Sequence, residues 1–189
     1  MILILDTETT GKPINYNAPM KEVDNWPRVI QLAWMVCNES GEEIVRHVHL
    51  IKPDGWVIPK EEFWIKHGYS TERSEQEGVA IEYVLDQFVH DLNGCHTVVA
   101  HNLSFDYNVL GAELLRKKMR ANAKPLKICT MVSSTDLLKI PGKYGYKYPN
   151  LTELHNHLFG RSFEGAHDAM NDVVACKDCF FELRTKGLV

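Results

Sequence analysis

The chain has 189 residues, 44% of them hydrophobic, which is enough for one substantial core and short for two. Its 21 basic and 25 acidic residues exclude a general electrostatic attraction to polyanions, so a nucleic-acid partner has to be held by local basic groups and bound cations. Cys37, Cys95, Cys129, Cys176 and Cys179 are odd in number and scattered, which argues against a disulfide framework and for a reducing, cytoplasmic setting. Met1 to Leu5 lacks the basic start and the length of a signal peptide, and no segment approaches the roughly 20 apolar residues of a membrane span, so a soluble protein without a membrane partner is expected.

In chain order, Met1 to Leu5 is an unbroken apolar run that reads as a strand buried on both faces, its end opening into a functional loop. Arg28 to Cys37 and Glu43 to Ile51, separated by the turn-rich Asn38-Glu39-Ser40-Gly41-Glu42, are predicted to complete an antiparallel meander. Lys60 to His67 suggests a short helix ending at Gly68. Ser74 to Leu92 suggests a longer one closed by Gly94, with Val79, Tyr83, Phe88 and Leu92 at helical intervals. Thr97 to Ala100 is a short β-branched strand. It leads into an amphipathic helix over Ser104 to Arg120 with Leu110, Leu114 and Leu115 inward, an order that implies a parallel addition to the sheet. Leu126 to Cys129 is the fifth strand, Leu151 to Leu158 a helix stopped by Gly160, and Ala169, Val173, Cys176, Phe180 and Leu183 mark the packing stripe of a terminal helix. The expected architecture is a single α/β domain over residues 1–189, a mixed five-stranded sheet flanked by helices.

Three short segments carry chemistry. In Asp6-Thr7-Glu8-Thr9-Thr10-Gly11, residues two apart on an extended chain face the same way, so Asp6 and Glu8 present two carboxylates to one point. Such a pair repels itself unless a cation lies between, and hard oxygen donors suit Mg²⁺ or Mn²⁺. Taken alone, an acid pair beside a glycine is more often a solvated loop; the buried strand before it argues otherwise. In Ala100-His101-Asn102-Leu103-Ser104-Phe105-Asp106, Asp106 falls in the first turn of a helix after a buried strand, where ligands gather in α/β folds, although an isolated acid there also suits the helix dipole. In His167-Asp168-Ala169-Met170-Asn171-Asp172, an imidazole at the helix start and a carboxylate one turn in can both face the sheet edge, and an imidazole is the usual acceptor of a proton from water.

Together these segments resemble the DEDDh (DnaQ-like) exonuclease family, whose three motifs run in this order: Asp6 and Glu8 within DTETTG, Asp106 within HNxxFD, and His167 with Asp172 within HxAxxD. Asp168 stands where the tyrosine branch has its Tyr, which assigns this chain to the histidine branch. Lys12, and Cys129-Thr130 in place of Asp-Thr, depart from the family pattern outside the catalytic set. The resemblance implies an RNase H-like fold and a metal-dependent 3'-to-5' exonuclease, of DNA proofreading or repair type, that releases nucleoside 5'-monophosphates. It implies two divalent ions, Mg²⁺ or Mn²⁺, with Asp6 bridging both, Glu8 and Asp172 on one, Asp106 on the other, and His167 as general base. It also implies contacts to the 3' end of a DNA or RNA substrate from Thr7, Thr9, His67, Asn102 and Phe105.

An RNA-trimming or oligonucleotide-degrading exoribonuclease on the same fold is the nearest alternative. A catalytically dead binding module is disfavoured by retention of all five site residues. A polymerase subunit and a second copy of the chain both stay open as partners. Lys139, Lys143 and Lys147 interleave with Tyr144, Tyr146 and Tyr148, a mixture that suits phosphates and stacked bases as well as an ordinary solvated turn. Phe63, Trp64 and Tyr69 are either wedges at a terminal base or core. Cys176 and Cys179 read as helix packing rather than zinc ligands, and His155 and His157 fall on opposite sides of their helix.

Overall fold

The computed structural model describes residues 1–189. Strands β1 (Ile2–Thr9), β2 (Val29–Cys37), β3 (Glu43–Leu50), β4 (Thr97–Ala100) and β5 (Leu126–Cys129) form one sheet in the order β3-β2-β1-β4-β5. The first three strands pair antiparallel and β4 and β5 add in parallel, as the strand-then-helix order predicts. The helices are α1 (Glu62–Lys66), α2 (Thr71–Glu77), α3 (Ile81–Asn93), α4 (Leu103–Arg116), α5 (Thr130–Ser133), α6 (Thr135–Leu138), α7 (Leu151–Phe159) and α8 (Ala169–Thr185). A two-stranded hairpin, β6 (Pro141–Gly142) and β7 (Gly145–Tyr146), projects between α6 and α7. This is the mixed five-stranded, helix-flanked sheet of the RNase H-like exonuclease fold.

The alternation of β1 divides the core. Leu3 and Leu5 join Val84, Leu85, Phe88, Val109 and Leu110 of α3 and α4 on one face, while Ile2 and Ile4 join Val173, Cys176 and Phe180 of α8 on the other. Cys176 and Cys179 are packing residues of α8, and none of the five cysteines is bonded to another. No helix is long and apolar enough to cross a membrane.

Several expectations are corrected. Strand β1 continues to Thr9, so the first-motif acids lie on the strand itself and not in a loop beyond it. Ser74 to Leu92 is two helices. At the break, Val79 leaves the helix to bridge Ile51, donating to the Leu50 carbonyl at 2.9 Å and accepting from the Lys52 amide at 2.9 Å. Gly78 makes this close approach possible, because a Cβ there would lie 2.6 Å from the Lys52 nitrogen and 2.2 Å from the Ser74 carbonyl. Tyr83, expected inward, is 54% exposed, because five residues before Phe88 in α3 it falls off the buried stripe of Ile81, Val84, Leu85, Phe88 and Leu92. Helix α4 ends at Arg116, and Leu115, expected inward, is 46% exposed. Helix α1 is confined to Glu62–Lys66, shorter than the predicted span.

Candidate active site

Three structural elements converge where β1 outruns β4. Pairing between these strands ends at Ile4 and Val99, so the Thr7 amide has no strand partner on that side. Asp106, in the first turn of α4, fills the gap: its Oδ1 accepts from the Thr7 amide at 3.1 Å and from the Thr7 hydroxyl at 2.7 Å. Thr7, expected to touch substrate, thus spends its hydroxyl on holding Asp106. Helix α4 is itself fixed to the start of β2 by the buried Glu113, which accepts from the Arg28 side chain at 2.8 Å and the Val29 amide at 3.2 Å and lies 3.0 Å from Arg116.

Asp6 and Glu8 continue the face of Ile2 and Ile4, toward α8. There His167 occupies a left-handed backbone conformation (φ 71°) immediately before Asp168, the N-cap of α8, whose carboxylate accepts from the Asn171 amide at 3.2 Å. The Asp172 carboxylate turns back to accept from the His167 amide at 3.1 Å. A ring nitrogen of His167 and one carboxylate oxygen each of Glu8 and Asp172 lie within 4.8 Å of one another.

These carboxylates share a common electrostatic condition. Burial, then the charges of Asp106, Asp172, Glu8 and Asp168, holds Asp6 well above the usual carboxylate range. Burial and the charges of Asp172, Asp106 and Asp168 push Glu8 up to about 8. Asp106 is pushed up to about 7 by burial despite the Thr7 hydrogen bonds that pull the other way, and Asp172 to about 6, again chiefly by burial. Full ionisation of the set therefore calls for a positive charge among them. Burial, with the neighbouring His67 and Lys66, lowers the pKa of His167 and favours the neutral imidazole.

The cleft in front of the acids has a volume of about 670 Å³, and its lining includes Thr9, Lys12, Phe63, Trp64, Phe105 and His167. Trp64 donates from its indole nitrogen to the Thr9 carbonyl at 3.0 Å, anchoring α1 as one wall. Thr9 turns its hydroxyl to the Gly11 carbonyl at 2.8 Å. His67 stacks edge-on against His167 with ring centroids 4.7 Å apart, and Phe63 lies 5.1 Å from the same imidazole. Of the expected substrate contacts, Thr7, Thr9 and Phe105 line this cleft, His67 lies behind His167, and Asn102 does not line it. Asn102 instead turns the chain into α4 at φ 72°, without a capping bond from its side chain.

Sequence reasoning passed over one positioning residue, Gln31, and left Tyr69 open between wedge and core. Gln31, opposite Glu8 on β2, uses its Oε1 to accept from the Ala169 amide at 2.9 Å and from the Tyr69 hydroxyl at 2.7 Å; that hydroxyl also lies 3.2 Å from the His167 carbonyl. Both are buried, so Tyr69 belongs to the frame that holds the turn before α8 and not to a wedge. A polar residue at the centre of an otherwise apolar strand was the available signal for Gln31. His101 is a satisfied structural histidine: burial pushes its pKa down to about 4, Nε2 donates to the Pro149 carbonyl at 3.0 Å, and Nδ1 lies 3.0 Å from the Thr130 hydroxyl. His155 is buried and bonded to the Arg161 carbonyl, while His157 faces solvent, as their helical spacing predicts.

A family model described as exonuclease (RNase_T) matches residues 3–180. The chain belongs to the exonuclease family. Among solved structures, this exonuclease-family chain is similar to E. coli exonuclease I in complex with a dT13 oligonucleotide (18% identity, TM-score 0.75, covering 97% of this chain and 41% of that one). It is also similar to the zinc-bound E. coli exonuclease I–single-stranded DNA complex (18%, TM-score 0.74, 98% and 40%) and to the exonuclease I of Methylocaldum szegediense (20%, TM-score 0.70, 98% and 40%). At these identities the likeness establishes the fold, and the chain spans about two fifths of the length of those proteins. Comparison with curated proteins finds no match.

Proposed function

We propose that this chain is a single-domain, divalent-cation-dependent 3'-to-5' exonuclease acting on DNA. The observation that carries the reading is the convergence of Asp6, Glu8, Asp106 and Asp172 at one strand end, all with raised pKa values, beside an imidazole held neutral. The donor set fits a hard cation: it consists of carboxylate oxygens, and holding four acids together, Asp106 buried and the other three half-buried, favours their protonation or a cation among them. Asp6, Glu8, Asp106 and Asp172 would hold two ions, Mg²⁺ or Mn²⁺, which when bound stabilise charge on the attacking and leaving oxygens of an in-line displacement.

The chain's own residues account for the remaining roles. His167 accepts the proton of the attacking water as the water oxygen adds to phosphorus. The 3' oxygen of the preceding nucleotide leaves, giving a nucleoside 5'-monophosphate and a polymer one residue shorter. The left-handed turn at His167, held by Gln31, Tyr69 and the Asp172 carboxylate, directs the imidazole into the acid cluster. Phe63, Trp64 and Phe105 give the cleft apolar walls on which a terminal nucleoside packs, and Lys12 at its rim supports a backbone phosphate.

The choice of DNA is supported by the fold neighbours solved with dT13 and dA16 oligonucleotides. The test is a matched set of 3'-labelled and 5'-labelled DNA and RNA oligonucleotides incubated with Mg²⁺, Mn²⁺ or chelator. The expected result is a ladder of shortened 5'-labelled DNA and released 5'-monophosphate, with no reaction in chelator. Undiminished turnover in excess chelator overturns the cation-dependent reading, and a preference for the RNA set turns it into an exoribonuclease.

A further inference from the structure

The hairpin of β6 and β7 carries residues that neither the core nor the cleft uses. Positions 141–148 are all exposed, while Pro149 directly after them is buried. Tyr144 is 91% exposed, Tyr146 52% and Tyr148 61%. Tyr144 lies in the hairpin turn, Tyr146 on β7 and Tyr148 just beyond it, and such a cluster of uncovered aromatic rings marks a binding surface. Lysines lie between and beside them. Lys147 is tied to Glu153 at 2.6 Å, whereas Lys139 and Lys143 form no ion pair, and Lys143 Nζ lies 5.1 Å from the Tyr144 ring centroid.

The hairpin is rooted at the edge of the sheet that carries the acids. Its two pairs, Pro141 with Tyr146 and Gly142 with Gly145, are extended by the Lys147 amide donating to the Ile140 carbonyl at 2.9 Å, which fixes the base of the ribbon. Pro149 then accepts from His101 Nε2 at 3.0 Å. His101 directly follows β4 and begins the turn into α4, the helix that carries Asp106, so the root of the ribbon is tied to the same segment as the acid cluster. A strand whose 3' terminus enters the acid cluster would leave it beside the turn on which this ribbon is rooted.

We propose that the hairpin is a binding surface for the single-stranded substrate upstream of its terminal nucleotide. Bases stack on Tyr144, Tyr146 and Tyr148, and phosphates lie beside Lys139 and Lys143. The inference rests on the exonuclease reading above and adds to it a dependence on substrate length: affinity for a long strand comes largely from this ribbon, and that for a mononucleotide ester from the cleft alone.

The experiment compares the wild-type chain with Tyr144→Ala, Tyr146→Ala and Tyr148→Ala variants on two substrates, an oligothymidylate of about twenty residues and the p-nitrophenyl ester of thymidine 5'-monophosphate. Each substitution is expected to raise KM for the long strand about fivefold or more, while the kcat/KM ratio of long to short substrate falls by a similar factor. Combined Lys139→Gln and Lys143→Gln should flatten the dependence of log KM for the long strand on log salt by about 1.4, or about 0.7 per lost phosphate contact. Tyrosine variants that keep the wild-type length dependence overturn the proposal, as does an equal loss on both substrates, which would mark a structural role transmitted through Pro149 and His101. Failure of the wild-type protein to hydrolyse either substrate would instead reject the exonuclease reading itself.

Discussion

Replacing Glu8 by glutamine should raise the stability of the cation-free protein at alkaline pH while abolishing hydrolysis. Burial, with the charges of Asp172, Asp106 and Asp168, moves the Glu8 carboxyl from 4.5 to about 8. A carboxyl whose pKa is higher in the folded than in the unfolded state binds more protons when folded. Its favourable contribution is therefore complete below the unfolded value and is lost as pH rises through about 8. Carried by Glu8 alone, that displacement would amount to at most about 5 kcal/mol. Asp106 and Asp172, pushed up to about 7 and about 6, share the same repulsion, so relieving one charge is expected to recover about 1–3 kcal/mol. At about 2–4 °C per kcal/mol for a chain of this size, the variant should melt about 2–12 °C above wild type in alkaline chelator. Circular dichroism melts of both proteins between about pH 5 and 9, in chelator and in Mn²⁺, provide the assay. In chelator the wild-type Tm should fall across this range and converge with the variant at the acid end, and Mn²⁺ should flatten the wild-type curve far more than the variant's. A wild-type Tm independent of pH in chelator, or a variant less stable than wild type at the alkaline end, would refute the electrostatic account.

Other perturbations separate catalysis from framework. His167→Ala should lower kcat by about two to four orders of magnitude with KM little changed, and the residual rate should climb toward high pH as hydroxide replaces the assisted water; steady-state kinetics across pH measure both. Tyr69→Phe removes the hydroxyl that lies between Gln31 and the His167 carbonyl, at a cost of about 1 kcal/mol in denaturant titration. It should also depress kcat, but not further in a His167→Ala background, since its kinetic effect acts through that imidazole. At about pH 5, where the Asp106 carboxyl is protonated and no repulsion is relieved, Asp106→Ala strands the Thr7 amide and hydroxyl and should destabilise by about 1–3 kcal/mol, whereas Asp106→Asn keeps an acceptor and should restore most of the stability without restoring activity. Gly78→Ala places a methyl against the Lys52 and Ser74 backbones and should cost about 3 kcal/mol or more in the same titration, with the kcat of the surviving folded fraction unchanged.

What the sequence determined alone are the features set by local periodicity. The apolar run before Asp6 dictates a doubly buried β1, and the two-residue repeat then carries Asp6 and Glu8 out on the face of Ile2 and Ile4. The spacing of Ala169, Val173, Cys176 and Phe180 fixes which side of α8 is buried, and so brings Asp172, one turn in, back toward its start. Contacts between segments far apart in the chain decided the rest. Gly78 breaks a helical pattern because Val79 finds a bridge partner at Ile51, an offer that no window around Gly78 contains. The partnership of Asp106 with Thr7 exists only because β4 ends early beside β1, and Gln31 acquires its role only when α8 arrives 138 residues later to place the Ala169 amide against it. Burial, too, is a tertiary property. The same carboxylates in a solvated loop would titrate like any others, and it is the packing of α4 and α8 around β1 that raises their pKa values.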